Sequence, residues 1–277
     1  MGSIVKPLTM AAGIDTGVIT SGTMYNDRGT ITLDGATISN FDGKGRGRVS
    51  MQDVLSQSLN TGAVFVVARM GNDIFREYML SYGVGEETGI DLPNESAGLV
   101  DNLNSPRDIE YATASFGQGI AMTPISIVRA LSTLANEGVL VTPHVVKKIR
   151  YDSGITKKVS YNDGERVLKK ETAEEVTRML VQVVDEALLG GKVKIKNYSV
   201  AAKTGTAQIA KSDERGYYDD RFFHSFFGYF PAYDAQFLIF LYTLEPKEVR
   251  YASQTLTHPF MDIVSFLINY YEVLPDR

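Results

Sequence analysis

Apolar residues recur every three or four positions in several stretches of the chain, which is the spacing of one buried face of an α-helix. The clearest stretch opens at Pro124, because Thr123 suits the N-cap position, a proline suits the first helical turn, and Gly138 ends the pattern. The predicted helices are Ile4–Ile14, Met51–Gly83 with breaks around 59–62 and 71–72, the stretch that Pro124 opens, about Thr172–Leu189, and about Pro259–Val273.

Strands are predicted where apolar runs are short and bounded by turn residues. Asp34-Gly35 separates two alternating segments, 30–33 and 36–39, and this dipeptide is the strongest short signal for a β-hairpin. The later strand candidates are Tyr198–Ile209, Phe222–Phe230 and Gln236–Leu244. Turn residues between the last two predict an antiparallel meander, and helices around a late three-stranded sheet predict an α+β fold.

The composition excludes several classes of function. The 277 residues include no cysteine, which rules out disulfides and thiolate metal sites, and the three histidines are too widely spaced for a multi-histidine centre. The 28 basic and 33 acidic residues give a net charge of −5, without the basic footprint of a nucleic-acid or anionic-lipid binder. No apolar run reaches the roughly 18 residues that span a bilayer, and no signal peptide is visible.

Three short motifs combine residue types that serve acyl-transfer chemistry. Ser3-Ile4-Val5-Lys6 has the pattern S-x-x-K, Ser58-Leu59-Asn60 has the pattern S-x-N, and Lys203-Thr204-Gly205-Thr206 is K-T-G-T. The first two patterns each occur by chance about once in a chain of this length, and alone they indicate only a helix cap and solvated polar residues. K-T-G-T is rarer by orders of magnitude and lies on a predicted strand. The ordered trio therefore favours a catalytic site.

The first two motifs supply a nucleophile, its base and a proton relay. Residues three apart on a helix share a face, which places the Lys6 amine beside the Ser3 hydroxyl. A serine is a weak nucleophile until a base takes its proton, and a buried lysine with a lowered pKa can act as that base. Ser58 is then expected to relay a proton to the leaving group, and Asn60 to hold an amide of the substrate.

The third motif is expected to bind the substrate. It lies on an apparent edge strand, where Gly205 leaves room for a substrate backbone to approach. Lys203 and the hydroxyls of Thr204 and Thr206 suit a carboxylate, through charge-assisted hydrogen bonds. The backbone N–H groups of Ser3 and Thr206 are expected to form an oxyanion hole.

With these motifs the sequence resembles the transpeptidase domain of class B penicillin-binding proteins, the peptidoglycan D,D-transpeptidases of bacterial division and elongation. The resemblance spans nearly the whole chain, from residue 2 to about 268. It implies a single domain over 1–277 with the penicillin-binding-protein/serine β-lactamase-like fold, an antiparallel sheet flanked by helices. Further matching segments are TGIDLP at 88–93, ASFGQGIAMTP at 114–124, AKTGTAQ at 202–208 and SFFGYFPA at 225–232.

The resemblance implies a role for each motif residue. Ser3 matches the acylated nucleophile and Lys6 its general base, while Ser58 with Asn60 and the segment 203–206 match the other two motifs. The implied reaction moves an acyl group from a D-Ala–D-Ala stem peptide to an amine on a neighbouring strand, and β-lactams acylate the same serine. No metal or organic cofactor is implied. Cell-wall synthesis proteins such as a glycosyltransferase are the implied partners, at the outer face of the bacterial cytoplasmic membrane.

Some residues depart from the family pattern. Ala202 stands where the family usually has Gly, and Leu59 replaces the middle Asp of the second motif. The nucleophile is the third residue, whereas the family places a membrane anchor, a pedestal domain and the first strands of the sheet before it. We therefore expect the fold to lack those N-terminal strands and any membrane contact to depend on an anchor outside this chain.

Two other functions stay open. A serine β-lactamase or D,D-carboxypeptidase shares the acylation step but passes the acyl group to water. A non-catalytic remnant or assembly module of the cell-wall machinery would keep only the fold.

Of the histidines, His144 and His258 are interpreted as structural, and for His224, beside K-T-G-T, a structural role is favoured over one in the cleft. The aromatic stretch Tyr217–Tyr229 fits a substrate groove or sheet packing equally.

Overall fold

Most of the helices precede residue 200 in the computed structural model of this protein, which describes residues 1–211 and 216–277. A 3₁₀ turn at Gly2–Val5 leads directly into the first α-helix. No helix among the described residues is long and apolar enough to cross a membrane. The α-helices are α1 (Lys6–Asp15), α2 (Met51–Ser56), α3 (Asn60–Met70), α4 (Asn72–Ser81), α5 (Asp108–Ala114), α6 (Pro124–Ala135), α7 (Lys170–Gln182), α8 (Ala252–Thr255) and α9 (Thr257–Tyr270).

The last three strands form the central sheet. In the described part of the chain its order is β11-β10-β9 with both pairs antiparallel, so β9 is an edge strand and the predicted meander is confirmed. The other strands form two-stranded pairs, β1 with β4, β2 with β3, β5 with β8 and β6 with β7. The strands are β1 (Met24–Asp27), β2 (Thr30–Leu33), β3 (Ala36–Ser39), β4 (Gly47–Ser50), β5 (Val139–Leu140), β6 (Lys148–Arg150), β7 (Thr156–Lys158), β8 (Glu165–Arg166), β9 (Ala201–Ala210), β10 (Tyr217–Phe230) and β11 (Phe237–Leu244).

Two local predictions are confirmed in detail. Strands β2 and β3 are joined by Asp34 and Gly35, with φ of 48° and 78°, the pair of positive φ angles that a type I′ hairpin turn requires. Helix α6 begins where expected, because the Thr123 hydroxyl accepts a hydrogen bond from the backbone N–H of Ser126. Both features depend on neighbouring residues only.

Two helix boundaries differ from the prediction. The break expected around 59–62 begins earlier, since α2 ends at Ser56 and α3 begins at Asn60. Ser58 has a φ of 56°, which is not helical. The α-helix expected to reach Leu189 ends at Gln182, and a π-helical turn, Val183–Ala187, follows it. In that turn Asp185 pairs with Lys194 and Arg277, and the spacing of apolar residues does not predict these contacts.

The side chains of β10 alternate between two cores, as the two-residue period of a strand requires. Phe227 and Tyr229 face the larger core, which also contains buried residues of α1, α3, α6 and α7. Phe226 and Phe230 face the opposite side, which α9 covers. The sheet is therefore packed between helices on both faces, and the predicted α+β class is confirmed.

The packing of α9 depends on one buried ring. Phe260 is fully buried and its ring centroid lies 4.4 Å from that of Phe226. Gly228 makes room for it, since a Cβ at that position would lie 2.5 Å from the ring. Phe260 thus packs α9 against the sheet, together with Val264 and Ile268 of the same helix.

We expect Phe260→Ala to lower the free energy of unfolding by about 3–5 kcal/mol, because it leaves a cavity between α9 and β10. Phe266→Ala is the matched control, as this phenylalanine of the same helix is 60% exposed. Chemical denaturation of both variants measures the difference. Equal losses in the two variants would contradict the assignment of Phe260 to the core.

Candidate active site

The three motifs meet in one cleft. Ser3, Ser58, Asn60, Thr204 and Thr206 all line a cavity of about 840 Å³, although they come from three distant parts of the chain. The 3₁₀ turn before α1 provides Ser3, and the segment between α2 and α3 provides Ser58. Asn60 is the first residue of α3, and β9 provides the two threonines. The cleft thus contains a hydroxyl nucleophile candidate with polar side chains on either side of it.

The turn that contains Ser3 is held by backbone contacts. The Gly2 N–H donates to the Gly117 carbonyl at 3.1 Å, and a Cβ at Gly117 would lie only 2.3 Å from the Gly2 oxygen. Gly117 also has a φ of 81°, a conformation that glycine adopts without strain. Ser3 lies in the first turn of a helix, where backbone N–H groups have no intrahelical partner, so its N–H suits an oxyanion.

The Lys6 amine lies at the base of the cleft and is fully buried. Its hydrogen bonds go to Ser58 and Asn60: 2.5 Å to the Ser58 carbonyl oxygen, 3.2 Å to the Ser58 Oγ and 2.8 Å to the Asn60 Oδ1. Among the described residues, no hydrogen bond joins this amine to Ser3. The structure therefore brings Lys6 to the second motif, and its predicted role as base for Ser3 stays a prediction.

Ser58 is shared by two amines. The Lys203 Nζ donates to the Ser58 Oγ at 3.1 Å and to the Thr204 carbonyl at 3.1 Å. The positive φ of Ser58 turns its carbonyl toward Lys6 while its hydroxyl lies within reach of both lysines. Strained backbone of this kind costs about 1–3 kcal/mol and is retained where surrounding contacts require it.

Burial lowers the pKa of both lysines. The pKa of Lys6 falls well below its usual value, first because of burial and second because of the nearby Lys203 charge. Burial lowers the pKa of Lys203 to about 7. Two buried amines beside one hydroxyl resist carrying two charges. We assign the neutral amine to Lys6, which is then able to accept a proton, and the charge to Lys203.

Strand β9 divides its residues between two faces. Lys203, Gly205 and Ala207 are buried, whereas Thr204 and Thr206 face the cleft. A Cβ at Gly205 would lie 2.4 Å from the Ser225 Oγ and 2.9 Å from the Met1 oxygen, so it would point into the protein. The expectation that this glycine leaves room for a substrate is therefore wrong. Glycine is needed because the start of the chain and the turn that contains Ser3 pack closely against this face. A local sequence pattern does not predict that contact.

Thr206 and Asn60 both have partners within the protein. The Thr206 Oγ1 accepts the backbone N–H of Ala252 at 3.0 Å, which attaches the start of α8 to the edge of the sheet. The Asn60 Nδ2 donates to the Ser39 carbonyl at 2.8 Å, while its oxygen accepts from Lys6. Asn60 therefore joins the base of the cleft to its wall at β3, and its expected contact with a substrate amide stays a prediction.

A buried carboxylate supports the wall beside Asn60. Asp27 is 2% exposed and accepts hydrogen bonds from the Thr61 hydroxyl at 2.7 Å, the Asn40 amide at 3.0 Å, and the N–H groups of Gly29 and Arg46. Burial by itself raises the pKa of Asp27, but the hydrogen bonds, with that of Thr61 first, outweigh it and lower the pKa. The ionised carboxylate thus holds the loop after β3 against the first turn of α3.

His224 is structural, as favoured from the sequence. It is fully buried, its Nδ1 lies 2.9 Å from the Thr255 Oγ1, and its Nε2 lies 3.0 Å from the Arg250 carbonyl. Burial lowers its pKa. Of the aromatic stretch, Tyr217 and Phe222 line the cleft, while Phe226, Phe227 and Tyr229 pack in the cores. Both interpretations therefore hold, for different residues.

Four residues that line or support the cleft are not predicted as site residues. Gly117 lies in the segment 114–124, which resembles the family. The resemblance indicates the segment but gives no physical reason for a glycine at this position. Asp27 is one carboxylate in a polar, glycine-rich stretch, and Arg250 and Tyr251 are ordinary loop residues in the sequence. Within residues 1–211 and 216–277, no group of three or more His, Cys, Asp or Glu side chains is arranged to hold a metal ion.

The chain matches the family model described as the penicillin binding protein transpeptidase domain over residues 1–265. Stage V sporulation protein D of Bacillus subtilis is 31% identical over 265 residues, covering 94% of this chain and 40% of that relative. The penicillin-binding protein PbpB of Mycolicibacterium smegmatis is 28% identical over 280 residues, covering 98% of this chain and 43% of that relative. The chain thus spans about two fifths of the length of these curated relatives.

Solved structures share the architecture. Penicillin-binding protein 3 of Mycobacterium tuberculosis in its apo form superposes with a TM-score of 0.90 at 26% identity, covering 100% of this chain and 64% of that one. Its complex with aztreonam gives a TM-score of 0.89 at the same identity, with 100% and 63% covered. The transpeptidase domain of Burkholderia pseudomallei penicillin-binding protein 3 gives 0.85 at 27% identity, with 100% and 80% covered. These likenesses confirm the expected fold family.

We expect Gly117→Ala to slow acylation of Ser3 by a labelled β-lactam at least about tenfold, because displacing the turn by a fraction of an ångström misplaces the nucleophile. Gly154→Ala is the matched control: Gly154 has a φ of 83°, close to that of Gly117, but no atom lies within 4 Å of its Cβ position. Thermal unfolding of both variants measures the strain they share. The same rate in both variants would contradict the role given to Gly117.

Proposed function

The chain belongs to the family of penicillin-binding protein transpeptidase domains, and we propose that it is the acyl-transfer domain of a serine-type peptidoglycan D,D-transpeptidase. The observation that carries the proposal is the Lys6–Ser58–Lys203 contact beside Ser3 in one cleft. Relatives named peptidoglycan D,D-transpeptidase, from Mesostigma viride and Neisseria meningitidis, support the reaction type. The aztreonam complex of a similar structure supports binding of β-lactams.

The first step is acylation of Ser3. Its hydroxyl attacks the carbonyl of the penultimate D-Ala of a stem peptide, and the neutral Lys6 amine takes the proton. The N–H groups of Ser3 and Thr206 stabilise the oxyanion that forms. The Ser58 hydroxyl, 3.2 Å from the Lys6 amine, passes a proton to the departing nitrogen and regains one from Lys6. The terminal D-Ala leaves, and the acyl group stays on Ser3 as an ester.

In the second step an amine of a neighbouring peptide attacks the ester carbonyl on Ser3, and Lys6 takes the proton of that amine. The bond between the acyl carbon and the Ser3 Oγ breaks, and Lys6 returns the proton to the serine oxygen. In the first step, before the terminal D-Ala leaves, Lys203 with the hydroxyls of Thr204 and Thr206 binds its carboxylate. Because the product is a cross-link between glycan strands, the reaction takes place in the cell envelope, at the outer face of the cytoplasmic membrane. It also requires a glycosyltransferase to supply the strands. We assign the whole chain, 1–277, to one catalytic domain.

We expect one molecule of labelled penicillin to attach to Ser3, located by mass spectrometry of the digested protein, and Ser3→Ala to abolish the adduct. Ser225→Ala is the control, because this serine lies on β10 and contacts Gly205 and Met1 without lining the cleft. An adduct that survives Ser3→Ala in the folded protein would sink the proposal. With a chromogenic cephalosporin, a burst without turnover indicates the transpeptidase, whereas rapid turnover indicates a β-lactamase.

The pH dependence of acylation tests the assignment of charge to the two lysines. The pKa of Lys203 is about 7, so its positive charge is lost as the pH rises through that value. We expect the second-order acylation rate constant for benzylpenicillin, which has a carboxylate, to fall above about pH 7. In Lys203→Arg this fall moves to higher pH, since a guanidinium keeps its charge. An alkaline fall that stays near pH 7 in Lys203→Arg would contradict the assignment.

A further inference from the structure

The side chains that line the cleft are almost free of charge. Among the described residues Arg250 is the only charged side chain of the lining, and no carboxylate lines the cleft. Beneath the lining lie the two buried amines of Lys6 and Lys203. On the β9 side the cleft thus has the charges of Lys203 and Arg250, while the buried Asp27 carboxylate lies behind the other wall and accepts hydrogen bonds there. The electrostatic potential beside β9 therefore favours an anionic ligand.

Arg250 is part of the lining of the cleft, and its backbone is anchored. Its carbonyl oxygen is 3.0 Å from the Nε2 of the buried His224, and two residues later the N–H of Ala252 donates to Thr206. The Arg250 guanidinium lies 5.7 Å from the centroid of the Tyr251 ring. These contacts attach the segment that contains Arg250 to strands β9 and β10, within the wall of the cleft.

No carboxylate among the described residues pairs with the Arg250 guanidinium. The neighbouring Arg221, by comparison, lies 3.9 Å from Glu245. A guanidinium keeps its charge at all relevant pH values and presents donors in a fork that matches a carboxylate. Its donors are therefore available to a ligand in the cleft.

The direction of the bound donor follows from the position of its terminal carboxylate. Lys203 and Thr204 come before Thr206 along β9, and the proposed function places the terminal carboxylate and the leaving D-Ala beside them. The acyl side of the donor then runs past Ser3 along β9 toward Gln208. Gln208 and Phe222 are partners in the β9–β10 register and line the cleft beyond Thr206, and Tyr217 and Arg250 line the cleft as well. The Arg250 carbonyl contacts His224, the register partner of Thr206.

We propose that Arg250 binds an anionic group, a free carboxylate, on the acyl side of the donor, and so selects stem peptides that have such a group over amidated ones. This inference rests on the proposed acylation of Ser3. The carboxylate accepts charge-assisted hydrogen bonds from the guanidinium while the terminal carboxylate occupies the site at Lys203. The donor is thus held at both ends, with the scissile bond at Ser3 between them.

Two penicillins that differ by one carboxylate test the inference. Carbenicillin is benzylpenicillin with an additional carboxylate on the side-chain carbon next to the amide, on the acyl side of the ring. The measured quantity is the ratio of their second-order rate constants for acylation of Ser3. We expect Arg250→Gln to lower the carbenicillin-to-benzylpenicillin ratio about five- to tenfold, and Arg250→Lys to recover part of that loss. Raising the ionic strength should reduce the ratio in the unaltered protein and not in Arg250→Gln.

Arg69→Gln is the matched control. The Arg69 guanidinium also lies over an aromatic ring, 5.6 Å from the centroid of Phe65, but Arg69 does not line the cleft, so the ratio should not change. If Arg250→Gln slows both penicillins equally, Arg250 only maintains the wall and the inference is overturned. An unchanged ratio with normal benzylpenicillin acylation overturns it as well, leaving the proposed function intact. Failure of both penicillins to acylate the unaltered protein contradicts the proposed function and this inference together.

Discussion

Two lysine amines are buried around a single serine hydroxyl, and the positions of the surrounding elements follow from that contact. Burying an amine is costly unless hydrogen-bond acceptors compensate it. Lys6 obtains its acceptors from Ser58 and Asn60, and Lys203 obtains them from Ser58 and Thr204. The start of α1, the break before α3 and the edge strand β9 must therefore meet at one point. The same burial lowers the pKa of both amines. The lowered pKa favours the neutral amine of Lys6, which is the form that accepts a proton.

Backbone contacts at glycines make that meeting possible. Gly117 and Gly205 approach the turn before Ser3 from two sides, and a Cβ at either position would overlap with neighbouring atoms. The turn is thereby fixed relative to both β9 and the segment before α6. Asp27 has a comparable role on the other wall, where its hydrogen bonds hold the loop after β3 against α3. Close backbone contacts and a buried carboxylate thus contribute to the geometry of the cleft.

Much of the fold could be predicted because its signals are local. The Asp34-Gly35 turn, the Thr123 cap and the meander of β9, β10 and β11 each depend on residues that are neighbours in the chain or on a regular period. The break at Ser58 was misplaced because its positive φ depends on two lysines elsewhere in the chain, not on helix propensity. The π-helical turn at Val183–Ala187 was missed for a similar reason, since Asp185 pairs with Arg277 near the end of the chain.

From the sequence alone, the residue types of the three motifs, their order and the elements that contain them could be predicted. K-T-G-T on an apolar run is enough to predict a strand with a cleft-facing hydroxyl row, since side chains alternate along any strand. The tertiary structure alone decided which groups touch. It placed the Lys6 amine against Ser58 and Arg250 in the lining of the cleft. It also showed that Gly205 is needed for packing inside the protein, not for space in the cleft. Spacing along a chain defines the face of one element, whereas contacts between elements depend on how distant segments pack.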